Sequence, residues 1–282
     1  MAGLDLTYHR LSFFEYLVAE KRIYVNPAFS YRRGDGTPEI SFPACDYVFA
    51  THGEPISDVI EELDTSKAIM VASPSLCREV RDALDLPLDR FIELRDGESA
   101  RESRFRVEAY RTGEETAKAT WPRGFARPGD FLGGLATLKR VWDRTPTYGL
   151  TFEFGDLRVH HIGKGFDSTT DWNHLEAVAE DLPADIMVCV AYPDSERDVA
   201  EGVEILAPKM VLIHHPHERI YRRLSLQNKP LTRFERFINR RSPEVEVVKL
   251  RPESRIDLTQ VLPKARSVRS APPAPKVEPK PV

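Results

Sequence analysis

Hydrophobic positions along this chain switch repeatedly between a period of two and a period near 3.6. Phe14, Tyr16 and Val18 share one face of an extended run, with Phe13, Glu15 and Leu17 on the other, as a strand requires. Residues 22–25 read as a second strand, which Asn26-Pro27 ends. Residues 31–38, with Gly34-Asp-Gly36, read as a surface loop. Residues 46–50 form a short buried strand running into Thr51-His52-Gly53. Ile56, Val59, Ile60 and Leu63 then recur at helical spacing, residues 68–72 return to a strand, and residues 75–84 form a helix burying Leu76, Val80 and Leu84. Strands alternating with helices predict a layered α/β architecture.

The middle of the chain changes character. Residues 91–94 and 104–110 alternate like strands with a solvent edge, and Asp96-Gly97 supplies turn chemistry between them. Residues 117–143 have weak periodicity and many Trp, Pro, Gly and Arg residues, the pattern of a long insertion. Residues 150–154 and 157–162 form a hairpin about Gly155-Asp156. A second α/β stretch follows: a helix over 174–182, a buried strand over 185–191, and a helix over 195–206 that opens with Ser195-x-x-Asp198 in the manner of a capping box. A strand over 210–213 leads into His214-His-Pro-His217, a helix covers 231–241, and a last strand covers 245–250. Residues 264–282 are rich in Pro and lack aromatics. They carry Lys264, Arg266, Arg269, Lys276 and Lys280 against Glu278, and read as a disordered basic tail on a single domain over 1–263.

Composition narrows the function classes. With 41% hydrophobic and 30% charged residues, the chain has the make-up of an ordinary globular protein. A net charge of -4 leaves no nucleic-acid footprint, and no apolar run approaches the roughly 20 residues that span a bilayer. Residues 1–10 lack a basic segment followed by an apolar core, which argues against a secretory signal. Cys45, Cys77 and Cys189 are odd in number and lie in or beside apolar runs, as reduced, buried thiols of a cytoplasmic protein would. Arg123, Arg127, Lys139, Arg140 and Arg144 make the middle stretch basic. A solvated loop accounts for them, and a phosphate grip is the alternative. Gly133-Gly134 is too short for a phosphate loop, and no serine or cysteine nucleophile arrangement is present.

Five segments in order carry a family resemblance: residues 8–14 (Tyr-His-Arg-Leu-Ser-Phe-Phe), 23–27 (Ile-Tyr-Val-Asn-Pro), 46–53 (Asp-Tyr-Val-Phe-Ala-Thr-His-Gly), 159–163 (Val-His-His-Ile-Gly) and 207–215 (Ala-Pro-Lys-Met-Val-Leu-Ile-His-His). The chain resembles the metallo-β-lactamase superfamily, and within it the ascorbate-6-phosphate lactonase-like branch of small metal-dependent hydrolases, over about residues 6–258. The resemblance implies a four-layer αββα sandwich. It also implies two divalent metals, held by histidines and carboxylates, that polarise a substrate oxygen and make hydroxide from water.

Set against that pattern, the ligands are depleted. His52 matches, Glu54 stands where a second histidine is implied, and Ile56-Ser57 stand where an Asp-His pair is implied, unless Asp58 takes the Asp place. No histidine lies between His52 and His160 to serve from the middle strands. Lys164 replaces the bridging Asp, and the count from Pro208 puts the last ligand position on His215. Lys164 is then expected to replace the metal charge and pair with Glu54, with Asp167 able to rescue a ligand position or simply to shape a turn. His9 lies in the opening strand that lines the site in this family, where a pocket place and plain packing are both open. His160-His161 and His214-His215 are adjacent pairs, whose side chains point to opposite faces of a strand. The cleft candidates are therefore His9, His52, Glu54, Asp58, His161, Lys164, Asp167 and His215.

Two functions follow. One is a non-catalytic or metal-independent member of the fold, binding a small-molecule ligand or a protein partner in the former active-site cleft, without nucleic acid or membrane and with self-association open. The other is a hydrolase of a lactone, ester or phosphorylated small molecule, with a single zinc or manganese held by His52, Glu54 and His215.

Overall fold

The alternating runs become strands and the 3.6-period runs become helices. The computed structural model describes residues 3–28, 42–115, 144–192, 194–215 and 230–261. The loop expected at 31–38, most of the basic middle stretch with its glycine pair, His217 and the tail lie outside the described residues. In chain order the elements are β1 (Leu4–Arg10), β2 (Phe13–Val18), β3 (Lys21–Val25), β4 (Tyr47–Ala50), α1 (Ile56–Thr65), β5 (Ile69–Ala72), α2 (Pro74–Leu84), a short 3-10 turn at Leu88–Arg90, β6 (Phe91–Glu93), β7 (Ser99–Arg101) and β8 (Arg106–Glu114). They continue with β9 (Pro146–Phe154), β10 (Leu157–His161), α3 (Trp172–Asp181), β11 (Ile186–Val190), α4 (Glu196–Leu206), β12 (Met210–His214), α5 (Leu231–Arg241), β13 (Glu246–Lys249) and β14 (Ser254–Asp257).

The strands form two seven-stranded sheets, ordered β14-β1-β2-β3-β4-β5-β6 and β13-β12-β11-β10-β9-β8-β7. Each sheet is half antiparallel meander and half parallel. In the first, β14 through β3 pair antiparallel and β3 through β6 parallel. In the second, β7 through β10 pair antiparallel and β10 through β13 parallel.

Leu6, Tyr16, Phe49, Phe152, Val188 and Leu212 belong to the apolar layer between the sheets. A second layer joins the first sheet to Val59 and Leu63 of α1 and to Leu76 and Val80 of α2. A third joins the second sheet to Leu175 of α3, Val203 of α4 and Phe234 of α5. The arrangement is the expected four-layer αββα sandwich, with α2 and α4 on opposite outer layers. Because β11 has sheet on one face and helices on the other, all five of its residues are buried, as parallel strands in such folds require.

Local signals place the element ends. Ser73 caps α2 by accepting from the Leu76 N–H at 3.5 Å, with Pro74 at the first helical position. Asp171 caps α3 by accepting from the His174 N–H at 3.1 Å. The capping box expected at Ser195 does not form. Its residue is not extended, and its hydroxyl donates back to the Tyr192 carbonyl at 2.9 Å instead. Residues 91–94 and 104–110, expected as strands with turn chemistry between them, become β6 and β8 in different sheets. Asp96-Gly97 instead carries the chain across, with Gly97 at φ 73°. The three free cysteines are buried. Among the described residues, no helix is long and apolar enough to cross a membrane.

Candidate functional site

Strand alternation decides which histidines face inward. On β12, Met210 and Leu212 enter the layer between the sheets, whereas Val211 and Ile213 go under the helices. His214 continues the inward series. Its ring lies 4.6 Å from that of Tyr8 and 4.9 Å from that of Phe14. His215 continues the outward series, with its ring 6.4 Å from Phe234 on α5 and its Nδ1 3.3 Å from the Ala191 carbonyl. His215, where a ligand was expected, thus lies toward the helices, and His214 lies between the sheets, because a shift of one along a strand changes the face. His161 on β10 also faces inward, edge-on to Phe14 at 4.9 Å. Its neighbour His160 faces outward and donates to the Leu182 carbonyl at 2.8 Å, so the expected opposition within that pair holds.

The loop after β4 brings His52 to the same end. Thr51 N–H and the Thr51 hydroxyl both donate to Asn26 Oδ1, at 2.9 and 3.0 Å. The hydroxyl proton is thereby used, so Thr51 Oγ1 accepts from Nδ1–H of His52, 2.8 Å away. His52 Nε2 is therefore bare. It lies 3.4 Å from Glu54 Oε2 and has no hydrogen-bond partner. In His161 the assignment is reversed. Nδ1 accepts from Gly163 N–H at 3.4 Å, which leaves the proton on Nε2, again without a partner. Burial and the neighbouring His52 push the His161 pKa down to about 3, so this ring is neutral.

Glu115, just past β8, places one carboxylate oxygen on Gly53 N–H and leaves Oε2 buried without a partner. The middle strands were expected to contribute no histidine here, and Glu115 is an acidic residue that the expectation did not name. An acidic residue one position beyond a strand end carries no periodic signal, and pairing across 62 residues is what reveals it. Asp58 is fully buried in the first turn of α1.

Lys164 sits in a turn between Gly163 and Gly165, both at positive φ. Its ammonium, 2% exposed, donates to the Glu114 carbonyl and pairs with Asp167 Oδ2 at 3.0 Å. The expected pairing with Glu54 is corrected accordingly. Asp167 also accepts from Thr169 N–H and Oγ1, at 2.8 and 2.6 Å. Partial burial raises its pKa, but the Lys164 charge and the Thr169 bonds outweigh that and hold it below the usual carboxylate value. His9 lies outside this group. It is held between Glu15 at 2.9 Å and Glu253 at 3.3 Å, against the ring of Phe13, on the face opposite Tyr8.

Neither a family model nor a curated protein sequence matches the chain. Solved structures do. A metallo hydrolase from the archaeon Ignicoccus hospitalis superposes with a TM-score of 0.63 at 13% identity, over 90% of this chain and 98% of that one. The metallo-β-lactamase fold protein YhfI from Bacillus subtilis gives 0.58 at 10% identity, over 91% and 99%. This chain has the metallo-β-lactamase fold. The diiron β-hydroxylase CmlA from Streptomyces venezuelae, a longer chain, gives 0.61 at 12% identity over 91% of this chain and 54% of its own.

The metallo-β-lactamase fold implies a metal pair held by donors at this end of the sheets. Among the described residues no group of three or more His, Cys, Asp or Glu side chains is arranged to hold a metal. The expected set of His52, Glu54 and His215 is not assembled, because the His215 ring is on the far face of its sheet. His161 turns a lone pair at Nε2 toward this end only in the tautomer that gives up the Gly163 bond at Nδ1. The described residues do not fit the pair.

Proposed function

We propose that this chain is a metal-independent member of the metallo-β-lactamase fold, which binds a small ligand or a protein partner in the cleft around His52, His161 and His214. The observation that carries this reading is the buried Lys164 ammonium, anchored by the Glu114 carbonyl and Asp167. A positive charge about 4 Å from a divalent cation opposes it by about 4 kcal/mol per unit of cation charge at an effective dielectric of 20, and the Asp167 carboxylate offsets part of that. The opposite tautomers of His52 and His161 support the same reading, since the Gly163 bond at His161 Nδ1 favours N–H rather than a lone pair at its Nε2. The lactonase-like branch and a cytoplasmic setting belong to this proposal and rest on the sequence motifs and the cysteines.

Elemental analysis of purified protein tests it, with melting measured before and after chelator. A metal at 100 times its dissociation constant would stabilise the fold by about 2.7 kcal/mol. The expected result is less than stoichiometric metal and an unchanged melting temperature. Stoichiometric zinc or manganese with a chelator-induced drop would instead support a single-metal hydrolase.

A further inference from the structure

Three polar atoms at the ends of the sheets are buried and make no hydrogen bond: His52 Nε2, which lies 3.4 Å from Glu54 Oε2, His161 Nε2 and Glu115 Oε2. Their residues are 0%, 1% and 3% exposed. Buried polar groups in native proteins nearly all find partners, so three orphans in one place call for a guest. They belong together. The Gly163 N–H is bonded to His161 Nδ1, and an added Cβ at Gly163 would lie 2.8 Å from Oγ1 of Thr51, the neighbour of His52, while Glu115 is bonded to the residue after His52.

The three differ in polarity. His52 Nε2 and Glu115 Oε2 offer lone pairs, while His161 Nε2 offers a proton. A phosphate or carboxylate accepts only, and would meet two acceptors. An ammonium donates only, and would meet the His161 N–H. A hydroxyl does both at one oxygen. Asn26 and Thr51 fix this pattern, because Asn26 Oδ1 must face Thr51 N–H and so commits the Thr51 hydroxyl, and through it the His52 tautomer.

We infer that the His52–His161–Glu115 cluster binds the hydroxyl group of an uncharged polyol-type ligand, accepting its proton on His52 or Glu115 and donating to its oxygen from His161. This assignment rests on the metal-independent reading above and narrows it to a ligand class. Asn26 and Thr51 are positioning residues that act through His52.

The test uses the full chain labelled with ¹⁵N-histidine and two-bond ¹H–¹⁵N spectra, which report the tautomer of each ring. Assignments come from His52→Gln and His161→Gln, or from the other histidines one at a time where either variant does not fold. The expected result is a proton on Nδ1 in His52 and on Nε2 in His161. Xylitol, the probe polyol, then shifts both Nε2 signals saturably, and inorganic phosphate does not. Glu115→Gln is expected to weaken xylitol binding by about tenfold, the size of one buried hydrogen bond. Identical tautomers in the two rings overturn the inference. So does a flat xylitol titration, which would mean that water alone fills the site, or a saturable response to phosphate. A shift with micromolar zinc would instead sink the metal-independent reading itself, so the two failures are distinguishable.

Discussion

Replacing Lys164 tests what holds the turn beyond β10. Lys164→Met keeps the apolar stem in its buried slot and removes only the charged head. Two interactions disappear: the bond to the Glu114 carbonyl and the pair with Asp167 Oδ2 at 3.0 Å. A charge-assisted hydrogen bond contributes about 1.5–3 kcal/mol. The Asp167 side chain is 24% exposed, so its pair with Lys164 is partly screened and contributes roughly 1 kcal/mol or less. Asp167 also keeps both bonds from Thr169, which spares it the full penalty of a stranded buried charge. Relief from burying the ammonium offsets part of the loss, and the net expectation is destabilisation by about 2 kcal/mol. Lys164→Asp should cost more, since a new carboxylate faces Asp167 and a carbonyl oxygen. Two like charges about 4 Å apart repel by about 4 kcal/mol at an effective dielectric of 20. Urea unfolding of the three proteins at neutral pH measures the series, and melting should fall by roughly 4–8 °C for the Met variant. A Met variant as stable as wild type, or an Asp variant more stable than the Met variant, would refute this account of the turn.

Tyr16 is fully buried between the sheets, and its hydroxyl has no partner. Tyr16→Phe should therefore be neutral or stabilise by about 1 kcal/mol in denaturant unfolding, and a loss of more than that would reveal a partner for the hydroxyl. At Gly163, with φ 64°, an added Cβ would meet the Tyr148 carbonyl at 2.5 Å and Thr51 Oγ1 at 2.8 Å. Gly163→Ala is expected to cost about 3 kcal/mol from backbone strain and displaced neighbours, and to alter the His52 tautomer signal through Thr51. Acid should weaken the fold. Burial holds His160 down to about 4, and burial with His52 holds His161 down to about 3, against 6.5 for the free side chain. The unfolded chain then binds more protons as pH falls below 6.5. Stability contributed by the neutral rings is full above that value and declines toward pH 4, by about 1.4 kcal/mol per pH unit for each ring. His160→Gln should shallow the slope of stability against pH, and an unchanged slope would show that this ring does not govern it.

How much was legible in advance differed from one element to the next. The inward set of β2 follows from alternation alone, as Phe14 and Tyr16 in the inter-sheet core confirm. The amphipathic helices α2 and α4 and the two-sided burial of β11 followed from local pattern in the same way. β7 and β14 did not, because three- and four-residue strands held by backbone pairing leave no periodic trace. The resemblance pointed to His215, but which of the adjacent pair His214 and His215 lies between the sheets depended on the face on which β12 ends.

The sequence by itself determined the layers of this protein, since burying an apolar stripe or face needs only the periodicity of neighbouring residues. It also determined that His52, Lys164 and a histidine near 214 stand at chain positions resembling a metal centre. Tertiary structure alone decided who meets whom. Lys164 turns to a carbonyl 50 residues away, Glu115 reaches Gly53, and His9 goes to the opposite face of its sheet. The physical reason is that a hydrogen bond between distant segments depends on register and on the last residue of a strand, and neither leaves a mark in local composition.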